Sequence, residues 1–149
     1  MTLLHELPDF SDLLAVVGDK LKIDPGLVEK DYWIMHSLWG LQQLKYKFEL
    51  KGGTSLSKGL GLIHRFSEDI DIWIEPPATL KIGKNHDKAQ HIADRFAFYD
   101  DLASKIRIRG VTSVARDKAF DAKSARSGGI RLTYASAHPL PGGPGRCLL

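Results

Sequence analysis

Two short segments constrain the fold more than anything else in this chain. Gly52-Gly53-Thr54-Ser55 follows the strand-like run Phe48-Glu49-Leu50-Lys51, and Asp69-Ile70-Asp71 opens a second strand-like run that ends at Ile74 before Pro76-Pro77. Side chains two apart on a strand share a face. The triplet therefore presents Asp69 and Asp71 side by side and turns Ile70 and Ile72 toward a core. Two like charges on one face repel unless a cation neutralises them. Mg²⁺ favours a few carboxylates combined with substrate phosphates, and two metals about 4 Å apart serve in-line phosphoryl chemistry. An Asp-x-Asp alone reads more readily as the solvated face of an edge strand, although the depletion of aspartate in strands tilts the balance toward function.

The glycine turn supplies the second half of the argument. Glycines let backbone amides approach an anion without a Cβ in the way, and a helix starting at Thr54 and running to about Gly59 adds free amide donors at its N-terminus. Thr54 and Ser55 add hydroxyl donors, and Lys58 lies one turn further on as a point charge for phosphate. A Gly-Gly-Thr turn by itself often only joins two elements. It lacks the Gly-Lys-Ser/Thr ending of a Walker A loop and is not the Gly-x-Gly-x-x-Gly dinucleotide pattern. The order strand, Gly-Gly-Thr-Ser, helix, Asp-x-Asp strand is the specific feature, because it brings held phosphates to held metals.

The rest of the chain reads as alternating helices and strands. Ser11 to Lys22 is expected as an amphipathic helix with Leu13, Leu14, Val17 and Leu21 on its apolar side. Asp24-Pro25 reads as an N-cap followed by a proline in the first helical position. The helix it starts runs to about Leu44, with Leu27, Ile34, Leu38 and Leu41 on one face and Val28, Tyr32, Met35 and Trp39 widening it. A second long helix is expected from Asp87 to about Ile106, with Ile92, Phe96, Tyr99 and Leu102 at helical spacing. Strands are expected within Ile106–Ala115 and at Gly129–Ala135. Residues 137–149 read as a loop-like tail with no packed element after it.

A length of 149 residues suits one small domain. No apolar run approaches the roughly 20 residues of a membrane helix, no signal peptide is legible, and the single cysteine, Cys147, excludes an internal disulfide. These features point to a cytoplasmic protein. Residues 105–131 carry eight basic side chains against two acids, a balance of +6, whereas residues 1–104 sum to −4. Such a stretch suits a polyanion such as RNA or a nucleoside triphosphate; a solvated surface explains it equally well.

Lys51-Gly52-Gly53-Thr54-Ser55-Leu56-Ser57-Lys58, followed by Arg65-Phe66-Ser67-Glu68-Asp69-Ile70-Asp71-Ile72, closely resembles the AbiEii/AbiGii toxin-type nucleotidyltransferases, and Val28-Glu29-Lys30-Asp31-Tyr32-Trp33 resembles the same family. The resemblance spans roughly residues 25–135. It implies a polymerase β-like α/β (α+β) core, a small mixed sheet flanked by helices, in an N-terminal nucleotidyltransferase domain. It further implies a toxin of a toxin–antitoxin or phage-defence system, partnered by an AbiEi-type antitoxin. Such a toxin transfers a nucleotide from an NTP to a hydroxyl of an RNA, tRNA in some relatives, or of a protein. Carried over by position, Asp69 and Asp71 hold Mg²⁺ or Mn²⁺ and are the catalytic pair. Gly52, Gly53, Thr54 and Ser55 hold the triphosphate with Lys58 close by. Arg65 either contacts phosphate or braces the loop through Glu68 or Asp69, and Ser67 either caps the strand entry or touches the nucleotide. Lys30 and Asp31 either support the site or form a helix-surface pair.

The chain also departs from the family. Superfamily enzymes commonly carry a third carboxylate on a later strand, often as general base, and no Asp or Glu follows Asp121. The resemblance thus implies a chain truncated at its C-terminus, with an incomplete core, and leaves a catalytically incomplete, nucleotide- or partner-binding remnant as the alternative.

Overall fold

The Asp24 carboxylate accepts a hydrogen bond from the Gly26 amide at 2.8 Å, and Pro25 takes the first helical position, where no amide donor is needed. From this start runs α2, Pro25–Gln43, the helix that contributes Ile34, Leu38 and Leu41 to the main core. The computed structural model describes residues 1–51, 70–83, 85–141 and 145–148. A 3-10 turn, Leu4–Glu6, and α1, Phe10–Leu21, precede α2. After it come β1 (Phe48–Leu50), β2 (Ile72–Ile74), α3 (Ala89–Lys105), β3 (Val111–Asp117), a 3-10 turn (Lys118–Phe120), β4 (Gly129–Tyr134) and β5 (Arg146–Leu148). The mixed α/β class holds. Among the described residues the strands form two antiparallel sheets, β1–β2 and β3–β4–β5, rather than one. The short helix expected at residues 54–59 lies outside the described residues.

The main core is built from both long helices and the larger sheet. Ile34, Leu38 and Leu41 of α2 meet Leu102 and Ala103 of α3, Ile106 and Ile108 beyond it, and Ile130 and Leu132 of β4. Phe48, Leu50, Ile72 and Ile74 pack onto this cluster from the smaller sheet. Gly40 is needed for the approach of α2, since a Cβ there would lie 2.6 Å from Cγ1 of Ile108. Trp33 stacks on Tyr134 with ring centres 4.7 Å apart, which makes this aromatic a core residue. Met35, expected on the apolar face, is exposed.

Three further expectations change. On α1 the buried residues are Phe10, Leu14 and Gly18, whereas Leu13, Val17 and Leu21 face solvent. The reason lies in the tight α1–α2 turn: a Cβ on Gly18 would sit 2.8 Å from the Ile23 carbonyl, so this side, with Phe10 against Tyr32, seats the helix. The strand expected within 106–115 starts at Val111 and runs on to Asp117, because a turn precedes it: Gly110 has a φ of 89° and the Val111 amide donates to the Ile108 carbonyl at 3.0 Å. Finally, the 137–149 segment is not all loop: β5 pairs antiparallel with β4. No helix among the described residues is long and apolar enough to cross a membrane.

Glu29 ties the chain after β4 back to α2. Its side chain is fully buried and accepts hydrogen bonds from Ser136 Oγ (2.7 Å) and from the Ala137 and His138 amides (2.8 and 2.9 Å). A longer bond comes from Trp33 Nε1 at 3.4 Å. Glu29→Ala strips these donors of their acceptor, so urea denaturation should show a loss of about 3 kcal/mol. An unchanged midpoint would mean that water replaces the carboxylate at no cost.

His5 fastens the N-terminal turn, with Nδ1 2.6 Å from the Tyr32 hydroxyl and its ring 4.7 Å from that of Trp33. Burial lowers its pKa below 6.5; the His36 and Arg109 charges add to this, and Glu6 opposes it. A histidine pKa depressed by folding stabilises the fold above the unfolded value, and that contribution is lost as pH falls through the folded value. Amides 3–6 should therefore exchange faster with solvent at pH 5 than at pH 7 relative to the core, and in His5→Phe this differential should vanish.

Candidate functional site

The smaller sheet positions what can be described of the Gly-Gly and Asp-x-Asp segments. Its register pairs Phe48 with Ile74, Glu49 with Trp73 and Leu50 with Ile72. The ladder continues outward, for the Lys51 amide donates to the Asp71 carbonyl at 2.8 Å and the Glu75 amide to the Lys47 carbonyl at 2.9 Å. Phe48, Leu50, Ile72 and Ile74 point to the core, while Glu49, Lys51, Asp71 and Trp73 lie on the exposed face. Ile70 is only 2% exposed, next to the exposed Asp71. The expected alternation of buried isoleucine and outward aspartate therefore holds from Ile70 to Ile74. Lys51, the residue before Gly52, is paired with the strand that carries Asp71.

Gly52, Gly53, Thr54, Ser55, Lys58, Arg65, Ser67 and Asp69 lie outside the described residues. Of the candidate metal- and triphosphate-binding residues, Asp71 is the one that falls among the described residues. It sits at the rim of a cavity of about 630 Å³ between β2 and α3, walled by Trp73, Phe98, Tyr99, Leu102 and Ile130. Burial raises the Tyr99 phenol above its ordinary value, and the Arg116 guanidinium, 5.3 Å from the ring centre, offsets part of that. Among the described residues lining the cavity, Asp71 is the one carboxylate, and no histidine or cysteine joins it. Its exposed oxygens suit a hard divalent cation. No group of three or more His, Cys, Asp or Glu side chains able to hold a metal forms among the described residues.

The basic stretch 105–131 resolves mostly into internal structure. Lys105 pairs with Asp101, Arg109 with Glu6, Arg116 with Asp100 and Asp121, Arg126 with Asp87, and Arg131 with Asp117. Five of its eight basic side chains are thus engaged within the domain. Among the described residues, Arg107, Lys118 and Lys123 form no ion pair. Lys30 and Asp31 are both half-buried on α2.

Arg95 escaped the sequence reading and organises the far side of the cavity. It is 2% exposed and spends its donors on the Ser124 carbonyl (2.9 Å from Nε and 2.7 Å from Nη2), the Lys81 and His86 carbonyls (both 2.8 Å) and Asp87 (3.1 Å). One planar guanidinium thereby holds two loops against α3, a role its fixed fork of donors suits. A signal existed: Arg95 lies three residues after Ile92 and four before Tyr99, on the apolar face of α3. Arg95→Leu leaves three carbonyls without their Arg95 donors and Asp87 with Arg126 alone. It should cost about 3 kcal/mol and raise hydrogen exchange at residues 81–87 and 122–126; exchange confined to other segments would contradict this role.

Residues 33–148 match the family model described as nucleotidyl transferase AbiEii toxin, type IV TA system. The match starts within α2, runs through the Gly-Gly and Asp-x-Asp segments and reaches β5. No curated protein and no solved structure matches the chain.

Proposed function

The chain belongs to the AbiEii family of nucleotidyl transferase toxins of type IV toxin–antitoxin systems, and we propose that it transfers a nucleotide from an NTP to a hydroxyl of an RNA acceptor, tRNA included. The observation that carries this reading is the Lys51–Asp71 pairing at 2.8 Å. It joins the strand that feeds the Gly-Gly turn to the strand that carries the acids. In this reading Gly52, Gly53, Thr54 and Ser55 cradle the triphosphate with Lys58 beside them, and Arg65 and Ser67 flank the acids. Asp69 and Asp71 hold Mg²⁺ or Mn²⁺. The divalent ion supplies charge neutralisation of the phosphates and a lower proton affinity for the attacking hydroxyl. The exposed carboxylate of Asp71 orients the ion, and Lys51, opposite it on the same face, adds positive charge where phosphate enters. Trp73 lines the same cavity two residues along the strand from the acid. An antitoxin partner follows from the type IV assignment; an AbiEi-type protein is the proposed one, in the cytoplasm where NTPs and tRNA occur.

A second reading, nucleotide binding without efficient transfer, rests on one observation. The paired strands β4 (Gly-Ile-Arg-Leu-Thr-Tyr) and β5 (Arg-Cys-Leu) carry no acid.

Incubating the chain with each labelled NTP, Mg²⁺ and total tRNA tests the proposal. Asp69→Asn and Asp71→Asn should each lower label transfer by about 100-fold or more, since metal-held charge contributes several kcal/mol to such transition states. Transfer that survives both substitutions would sink the assigned site. NTP binding without any transfer would favour the second reading.

A further inference from the structure

α1 turns an apolar strip to solvent. Leu13, Val16, Val17 and Leu21 are 38%, 64%, 40% and 53% exposed, while Phe10, Leu14 and Gly18 seat the helix on α2. At 3.6 residues per turn, Leu13, Val16, Val17 and Lys20 fall within about 100° of arc, with Asp9 at the helix start on the same side. The strip thus carries an acid at its N-terminal end, a base at its C-terminal end and branched aliphatic side chains between them. Among the described residues neither Asp9 nor Lys20 enters an ion pair. Asp9 makes no side-chain cap bond to its own helix either. Both charges are free to meet a partner. The matched family region begins at residue 33, so α1 lies outside it.

We propose that α1 is a self-association surface whose occupant is α1 of a second copy, packed antiparallel about a two-fold axis near Leu14–Ala15. In that arrangement Asp9 of each copy falls opposite Lys20 of the other, and Leu13 falls opposite Val16, each pairing occurring twice. A parallel arrangement would set Asp9 against Asp9 and Lys20 against Lys20. The charge order on the strip therefore selects the antiparallel one, which also opposes the two helix dipoles. A second copy is the occupant the strip itself specifies, because its two ends complement each other. Leu4 and Leu7, 44% and 38% exposed, extend the apolar surface beyond the helix start. One helix face and its margin stand at the small end of stable interfaces, so the dimer is reversible with a dissociation constant of about 10 µM.

Sedimentation equilibrium of the full chain tests this across loadings from about 1 µM to about 1 mM. The unaltered chain should shift from monomer to dimer. Val16→Glu and Lys20→Asp should each weaken dimerisation by about tenfold or more while the circular dichroism of the monomer stays unchanged. Asp9→Lys combined with Lys20→Asp should restore it to within about threefold of the original. A chain that stays monomeric throughout overturns the proposal, including one that uses this strip only to bind its antitoxin. So does a dimer indifferent to Val16→Glu, or a charge swap that restores nothing.

Discussion

A two-stranded antiparallel ladder is marginal in water, so the pairing of β1 with β2 depends on the surface beneath it. Phe48, Leu50, Ile72 and Ile74 seat the ladder on the buried cluster drawn from both long helices and the larger sheet. This burial also decides which face Asp71 occupies. A slip of one residue would turn every side chain over, exposing Ile70, now 2% exposed, and burying Asp71 against the core. Losing the burial of one isoleucine costs about 2–3 kcal/mol, and placing an unpaired carboxylate in its stead costs several more. The register is therefore held by its isoleucines, and the outward acid follows from them.

Two buried charges complete the frame by a different principle. Neither Glu29 nor Arg95 relies on a single opposite charge. Glu29 collects donors from Ser136, Ala137 and His138, and Arg95 spends its donors largely on backbone carbonyls of the 81–86 and 124 segments. A buried ion costs several kcal/mol in desolvation and is tolerable only when its hydrogen-bonding capacity is filled. Each therefore acts as a tie, fixing irregular chain to a helix where no repeating ladder could. The same economy accounts for much of the basic stretch at 105–131. Arg116, for example, joins Asp100, Asp121 and the Gly129 carbonyl, so the local +6 balance overstates the positive surface that a polyanion would meet.

What the sequence revealed follows the range of the interactions. The start of α2 was legible because Asp24 and Pro25 act within one turn, and the alternation around Asp71 because strand periodicity is local. The side of α1 was not. Leu13, Leu14, Val17 and Leu21 form a plausible apolar face, but the choice of Phe10, Leu14 and Gly18 instead depends on the turn through Ile23 and Pro25. β5 was missed because residues after a Pro/Gly-rich segment carry no periodic signal, and its pairing to β4 is supplied by the partner strand. Arg95 was passed over for a related reason: a charge on an apolar helix face reads as an interruption until the carbonyls around it are known. Of the candidate site, strand alternation foretold the outward placement of Asp71, and the other candidate residues lie outside the described segments.

The two readings of the site differ in rate rather than in binding. Nucleotide and metal affinity depend on donors that are already charged or fixed, such as carboxylates, backbone amides and lysines. A general base acts only on the attacking hydroxyl, and its loss slows transfer by about 10²–10⁴-fold without touching the ground-state complex. The lack of an acid on β4 and β5 therefore bears on turnover alone. A nucleotidyltransferase site without a general base would retain substrate while transferring slowly, and slow transfer still accumulates when the product is stable. Low turnover is consequently compatible with a toxic activity, whereas loss of the metal site proposed at Asp69 and Asp71 is compatible with neither reading.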